Sequence, residues 1–129
     1  SFERAVVGGV VSGDTSTDKI SFTEKVSGGA VIDGGADDDT IEFGGRITNV
    51  TVRGGAARDS IVVSQSLDSL LEGGVDNDKL DFSGGHSNLI AKGGEGADTL
   101  ILSGAVADDT ILGGISNIET IQYSILWTI

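Results

Sequence analysis

Apolar residues fall at every second position in short runs along the chain, and each run follows a glycine-rich break. In DKISF, Asp18 to Phe22, one polar residue separates Ile20 from Phe22. The same alternation returns at Ile41 and Phe43, Ile61 and Val63, Leu80 and Phe82, and Leu100 and Leu102. Period-two alternation predicts strands with one buried face. No 3.6-residue apolar period is sustained, and the recurring glycines disfavour helices.

The runs are in register. Segments begin GDTSTDKISF at Gly13, GGADDDTIEF at Gly34, GGAARDSIVV at Gly54, GGVDNDKLDF at Gly73 and GGEGADTLIL at Gly93. An irregular GGISNIETIQY follows at Gly113, and the starts are 21, 20, 19, 20 and 20 residues apart. At a fixed offset from the first five starts stands an acid: Asp18, Asp39, Asp59, Asp78 and Asp98. The second half of each unit repeats more weakly, with Gly-Gly and then alternating aliphatics, clearest in GGRITNVTV, Gly44 to Val52. Each unit reads as turn, strand, turn, strand, with glycines supplying the positive φ values of tight turns.

One such unit cannot bury its apolar face alone, whereas stacked units can. The expected fold is therefore all-β: a parallel β-solenoid of β-roll or β-helix type. It has one coil of about 20 residues per repeat and five to six coils in a single domain. Residues 1–12 read as part of an earlier coil, 13–112 as regular repeats, and 113–129 as an irregular last coil that caps the solenoid or docks on another chain. In that last unit Ile118 falls at the aspartate position, and the tail SILWTI is strongly apolar.

Composition sharpens this picture. The 129 residues include 21 Gly but no Pro, Cys or Met, and aromatics make up 5%. A thin, layered core of Val, Ile and Leu suits so few large side chains. Twenty acids against eight bases give a formal charge of −12. That balance disfavours nucleic acid and anionic membranes as partners and favours cations. Without cysteine there are no disulfides or thiolate metal sites. No apolar run is long enough for a membrane-spanning helix, so no membrane insertion is expected.

Stacked one per coil, the five aspartates form a column of carboxylates about 5 Å apart. Each neighbouring pair then repels by roughly 3 kcal/mol at an effective dielectric of ~20. A hard divalent cation between coils removes that cost, and calcium suits carboxylate and carbonyl oxygens in flexible geometry. Asp14, Asp37, Asp38, Asp76 and Glu95 crowd the same edge and favour this reading. The alternative is that each aspartate caps its own turn by accepting hydrogen bonds from backbone amides.

GGEGADTLI, Gly93 to Ile101, fits the pattern G-G-x-G-x-D-x-U-x at every specified position. In this the chain resembles the RTX, or haemolysin-type, calcium-binding repeat family. GGADDDTIE, GGAARDSIV and GGVDNDKLD depart from the pattern only at its fourth position, where Asp37, Ala57 and Asp76 replace Gly. The resemblance implies Ca2+ as cofactor, with Asp18, Asp39, Asp59, Asp78 and Asp98 as ligands and Asp37, Asp76 and Asp109 as further candidates. Of the second edge, only Asp109 fits the calcium pattern. Such a one-sided column is similar to the repeats of certain large bacterial adhesins.

Catalysis is not expected. The chain has one histidine, His86, in a Gly-Gly context, and no Ser-His-Asp spacing. Its acids repeat in a column, whereas an active site is a single irregular constellation. The expected function is a non-catalytic, calcium-stabilised structural module of a secreted or cell-surface bacterial protein. An adhesin, a surface layer or an extracellular filament would fit, with further repeats or end-to-end copies as partners. The alternative is the calcium-dependent export and folding module of a secreted enzyme or toxin.

Overall fold

The computed structural model describes residues 5–82, 86–87, 90–103 and 115–124. It is an all-β parallel solenoid, as expected. Strands β1 (Val6–Val7) and β2 (Val10–Ser12) belong to a first, partial coil. The next coil comprises β3 (Lys19–Phe22), β4 (Val26–Ser27) and β5 (Val31–Ala36). It is followed by β6 (Thr40–Thr48) with β7 (Thr51–Ala56), then β8 (Ser60–Leu67) with β9 (Leu70–Val75). A further coil holds β10 (Lys79–Phe82), β11 (His86–Ser87) and β12 (Ile90–Glu95). Strands β13 (Thr99–Ser103), β14 (Ile115–Ser116) and β15 (Thr120–Ser124) complete the described residues. The described residues make about four turns, where the repeat predicted five to six coils for the whole chain.

Two parallel sheets face each other. The first runs β1, β4, β6, β8, β10, β13 and β15, with β3 also paired to β6 and β11 to β8. The second runs β2, β5, β7, β9, β12 and β14. Alternation sends every second residue into the space between them. Ile20, Ile41, Ile61, Leu80 and Leu100 form one buried ladder, and Phe22, Phe43, Val63 and Phe82 another. Ile32, Val52, Leu71 and Ala91 face them from the second sheet. Like residues stack on like: the Phe22 and Phe43 rings are parallel, with centroids 5.0 Å apart.

The second turn does not lie where the sequence put it. Gly44 and Gly45 sit inside β6, whose pairing with β8 shifts register between Phe43 and Arg46. The chain reverses into the second sheet at Asn49 and Asp68 instead, which have φ of 53° and 51°. Asparagine and aspartate tolerate this left-handed conformation better than other side-chain-bearing residues. Behind the turn, Ser69 Oγ accepts the Val50 amide at 3.2 Å and donates to Leu67 O at 3.0 Å, so the polar group buried there is paired.

The unequal unit lengths are absorbed at these places. From the β4 to the β6 coil one residue is lost at the second turn, since Ser27 pairs with Thr48 but Val31 with Thr51. From β6 to β8 one is lost at the Gly44–Gly45 bend, since Phe43 pairs with Val63 but Arg46 with Gln65. The segments Gly13–Asp18, Gly34–Asp39, Gly54–Asp59, Gly73–Asp78 and Gly93–Asp98 all keep one length. Through these five coils the loop does not change length.

Steric packing explains why. A Cβ on Gly34, Gly54, Gly73 or Gly93 would come closer than 3.0 Å both to the carbonyl oxygen of the following coil and to the aspartate of its own loop. A Cβ on Gly35, Gly55, Gly74 or Gly94 would come closer than 3.0 Å to the carbonyl of the preceding coil. One glycine of each pair is thus required by the coil after it and the other by the coil before it. Asp14 takes the second-glycine place in the edge coil, where β2 is the outermost strand of its sheet.

Two substitutions in one loop should move stability in opposite directions. Gly54→Ala forces a Cβ into backbone and should cost about 3 kcal/mol or more. Ala57 holds φ at 78°, so Ala57→Gly relieves a left-handed alanine and should gain up to about 1 kcal/mol. Urea unfolding of both variants beside the parent chain measures each change.

Candidate functional site

The constant loop delivers each aspartate to the start of a first-sheet strand, with its side chain turned back over the glycine that opens the loop. There the carboxylates form an inter-coil ladder. The Asp18 amide donates to Asp39 Oδ1 at 2.7 Å, and the Asp39 amide to Asp59 Oδ1 at 2.9 Å. The Asp59 amide donates to Asp78 Oδ1, and the Asp78 amide to Asp98 Oδ1, both at 2.8 Å. Each backbone carbonyl of this column also accepts from the next coil, as in Thr40 N–H to Asp18 O at 2.9 Å. Every rung is tied to the next through main chain and side chain together.

The ladder has one further rung, which sequence reasoning missed. The Asp98 amide donates to Glu119 Oε2 at 2.7 Å. Thr99 pairs with Thr120, so Glu119 and not Ile118 stands opposite Asp98. Strand β12 pairs Lys92 with Ser116, which leaves only Asn117, Ile118 and Glu119 to span what Gly93–Asp98 span one coil earlier. The signal was present in the sequence: ETIQY aligns with DTLIL when read backward from the strand, whereas counting forward from Gly113 misses it.

The second carboxylate oxygen behaves differently. Oδ2 of Asp39, Asp59, Asp78 and Asp98 is buried and has no hydrogen-bond partner. These four residues are at most 3% exposed. Asp18, in the edge coil, is less buried, and its Oδ2 accepts the Asp14 amide at 2.9 Å. Of the five aspartates, four therefore share one environment and the first does not.

Burial dominates the acidity of these groups. Desolvation pushes Asp59 up to about 7 and Asp78 up to about 6, partly opposed by the amide each accepts and reinforced by neighbouring carboxylates. Asp39 and Asp98 are raised as well, again chiefly by burial.

A second inter-coil pattern lies on the outside of the loops. Asp38 Oδ1 accepts the Arg58 amide at 3.0 Å, and Asp38 Oδ2 meets the Arg58 guanidinium at 3.3 Å. Asn77 Oδ1 accepts the Ala97 amide at 2.8 Å. Here the later coil donates to the earlier one, opposite to the buried column.

Asp37 and Asp76 stand at the exposed loop tips with φ of 74° and 78°, the place of Gly96 in the loop that matches the repeat pattern fully. They add to the charge felt by Asp39 and Asp78. Among the described residues, however, no three His, Cys, Asp or Glu side chains converge as a metal cluster. Asp109 lies outside the described residues. In comparisons with known proteins, no family model matches the chain, and no curated protein or solved structure is significantly similar to it.

The raised pKa values fix the direction of a pH effect. A carboxyl whose folded pKa exceeds its unfolded value stabilises the fold fully below the unfolded value, and that contribution is lost as pH rises through the folded one. For Asp59 and Asp78 the window runs from about 3.8 to about 7. In chelator, melting temperature should therefore fall as pH rises from 4 to 7.5. Asp59→Asn keeps an acceptor for the Asp39 amide without the charge, so it should flatten that slope and melt above the parent chain at pH 7.5.

Proposed function

We propose that the chain is a non-catalytic structural module that binds calcium along its aspartate edge and is stabilised by it. The observation that carries the reading is the row of four buried Oδ2 atoms without hydrogen-bond partners. Four neighbouring carboxylates held this way are costly to ionise, and a divalent cation offsets both their mutual repulsion and their lost hydration. The donor set fits: carboxylate and backbone carbonyl oxygens are the ligands that calcium takes, and no thiol is present. Asp39, Asp59, Asp78 and Asp98 would hold the metal through Oδ2, and loop carbonyls would complete its coordination. Bound calcium supplies positive charge and couples folding to the surrounding medium.

The resemblance of GGEGADTLI to the RTX repeat supports the same reading. It also suggests the setting: a secreted or surface-attached bacterial protein such as an adhesin, surface layer or filament. Calcium would then leave the chain unfolded where the ion is scarce and order it outside the cell.

A second reading is favoured by the Oδ1 bonds. Each aspartate already caps an amide of the neighbouring coil, and a column of protonated or proton-sharing carboxyls would stand without metal. Far-ultraviolet circular dichroism during calcium titration of chelator-treated protein separates the two, with magnesium as control. The calcium reading expects a coil-to-β transition, or a melting temperature raised by 10 °C or more, with calcium and not with magnesium. A β spectrum and melting temperature indifferent to chelator and calcium at pH 7.5 would sink it in favour of the metal-free ladder.

A further inference from the structure

The outer face of the second sheet carries two ordered columns. The first runs Val10, Val31, Thr51, Leu70 and Ile90, each paired in register with the next. Its ends are open, with Val10 72% and Ile90 45% exposed. Val75, another exposed large apolar residue, lies at the loop end of the same sheet. Two of the four exposed large apolar side chains among the described residues, Val10 and Ile90, thus stand in this one column. An apolar stripe of this kind marks a contact surface.

The second column lies two residues along each strand and is charged: Asp33, Arg53, Glu72 and Lys92. Its signs alternate along the solenoid. Within the chain Arg53 meets Glu72 at 3.2 Å and Lys92 meets Glu72 at 3.6 Å. The column sums to zero charge, although the whole chain carries −12. Self-association is opposed by net charge elsewhere, but not here.

The order of signs has a symmetry consequence. Reversed end to end, the column minus, plus, minus, plus becomes its own complement. From this we infer that the face joins a second copy of the chain, sheet against sheet with the solenoid axes antiparallel. A two-fold axis along the strands, midway between β7 and β9, sets Asp33 opposite Lys92 of the other copy and Arg53 opposite Glu72. The same operation lays Val31 on Ile90 and the Thr51 side chain, with its methyl group, on Leu70, while charge meets countercharge. This is the self-complementary patch that a two-fold dimer requires. In-register packing of parallel copies would set like charge on like.

Five rungs at ~4.8 Å and six-residue strands of ~20 Å give a footprint of roughly 500 Å² per copy. That is below the ~800 Å² per partner of a standard stable interface. The dimer should therefore be reversible, with a Kd in the micromolar range.

Sedimentation equilibrium over a concentration series reaching the millimolar range tests this, in a medium where circular dichroism shows the chain folded. The parent chain should show a reversible monomer–dimer equilibrium. Asp33→Lys alone sets two like-charged pairs across the two-fold axis, as does Lys92→Asp alone, and each should weaken dimerisation at least tenfold. An equimolar mixture of the two variants should regain it, because in the heterodimer both pairs are again opposite in sign. The two positions lie three rungs apart, so unchanged melting temperatures separate loss of contact from loss of fold. Three outcomes overturn the inference: a parent chain monomeric throughout, single variants that dimerise as it does, or a mixture that stays monomeric. The first would leave the face to a different chain, and the second would move the association to another surface.

Discussion

Main-chain stacking at the aspartate edge sets the terms for the rest of the molecule. Loops of successive coils lie one strand spacing apart, close enough that glycine Cα atoms face carbonyl oxygens above and below. No side chain fits there, so two adjacent glycines are needed, one for each direction. The same proximity lets one carboxylate reach the amide of the next coil. The loop keeps one length through the five regular coils and is shortened only past Asp98, where Glu119 still reaches the Asp98 amide. Changes of length among the regular coils fall at the Gly44–Gly45 bend and the Asn49 and Asp68 turn, where one coil can differ from the next.

This arrangement concentrates electrostatic cost. Hydrogen bonding along the column consumes Oδ1 and shields Oδ2 from water without giving it a partner. A buried, unpaired polar oxygen is costly, and a stack of them more so when ionised. Protonation lowers the cost, as the raised pKa values of Asp59 and Asp78 indicate, and so would a bound cation. The cost of the edge therefore depends on pH, and that dependence links its geometry to the composition of the medium.

Away from that edge the sheets obey ordinary rules. Inward residues stack in ladders of like side chains, as Phe22 does on Phe43. Outward residues are paired by sign, as Lys19 is with Glu42 at 3.2 Å. Exposed pairs of this kind contribute little individually. Their order matters more for which surfaces can meet than for stability. A repeat protein presents each outward position as a column, so a pattern of alternating sign becomes a property of a whole face.

The sequence by itself determined the parallel solenoid, its repeat, the inward apolar ladders and the aspartate column. A stacked repeat writes each contact several times, so Ile20, Ile41, Ile61, Leu80 and Leu100 announce one structural position among them. What it could not settle was anything dependent on which backbone atoms meet across coils. Gly44–Gly45 looks like a turn but is a bend within β6, because glycine marks close approach as readily as reversal. The reversal falls at Asn49 and Asp68, single residues whose left-handed conformation leaves only a weak trace in sequence. Glu119 joined the column through strand register, after a shortened loop had hidden it from a count. The division of labour between Oδ1 and Oδ2 was likewise decided only by the fold, because it depends on which amide each oxygen reaches when one coil settles on the next.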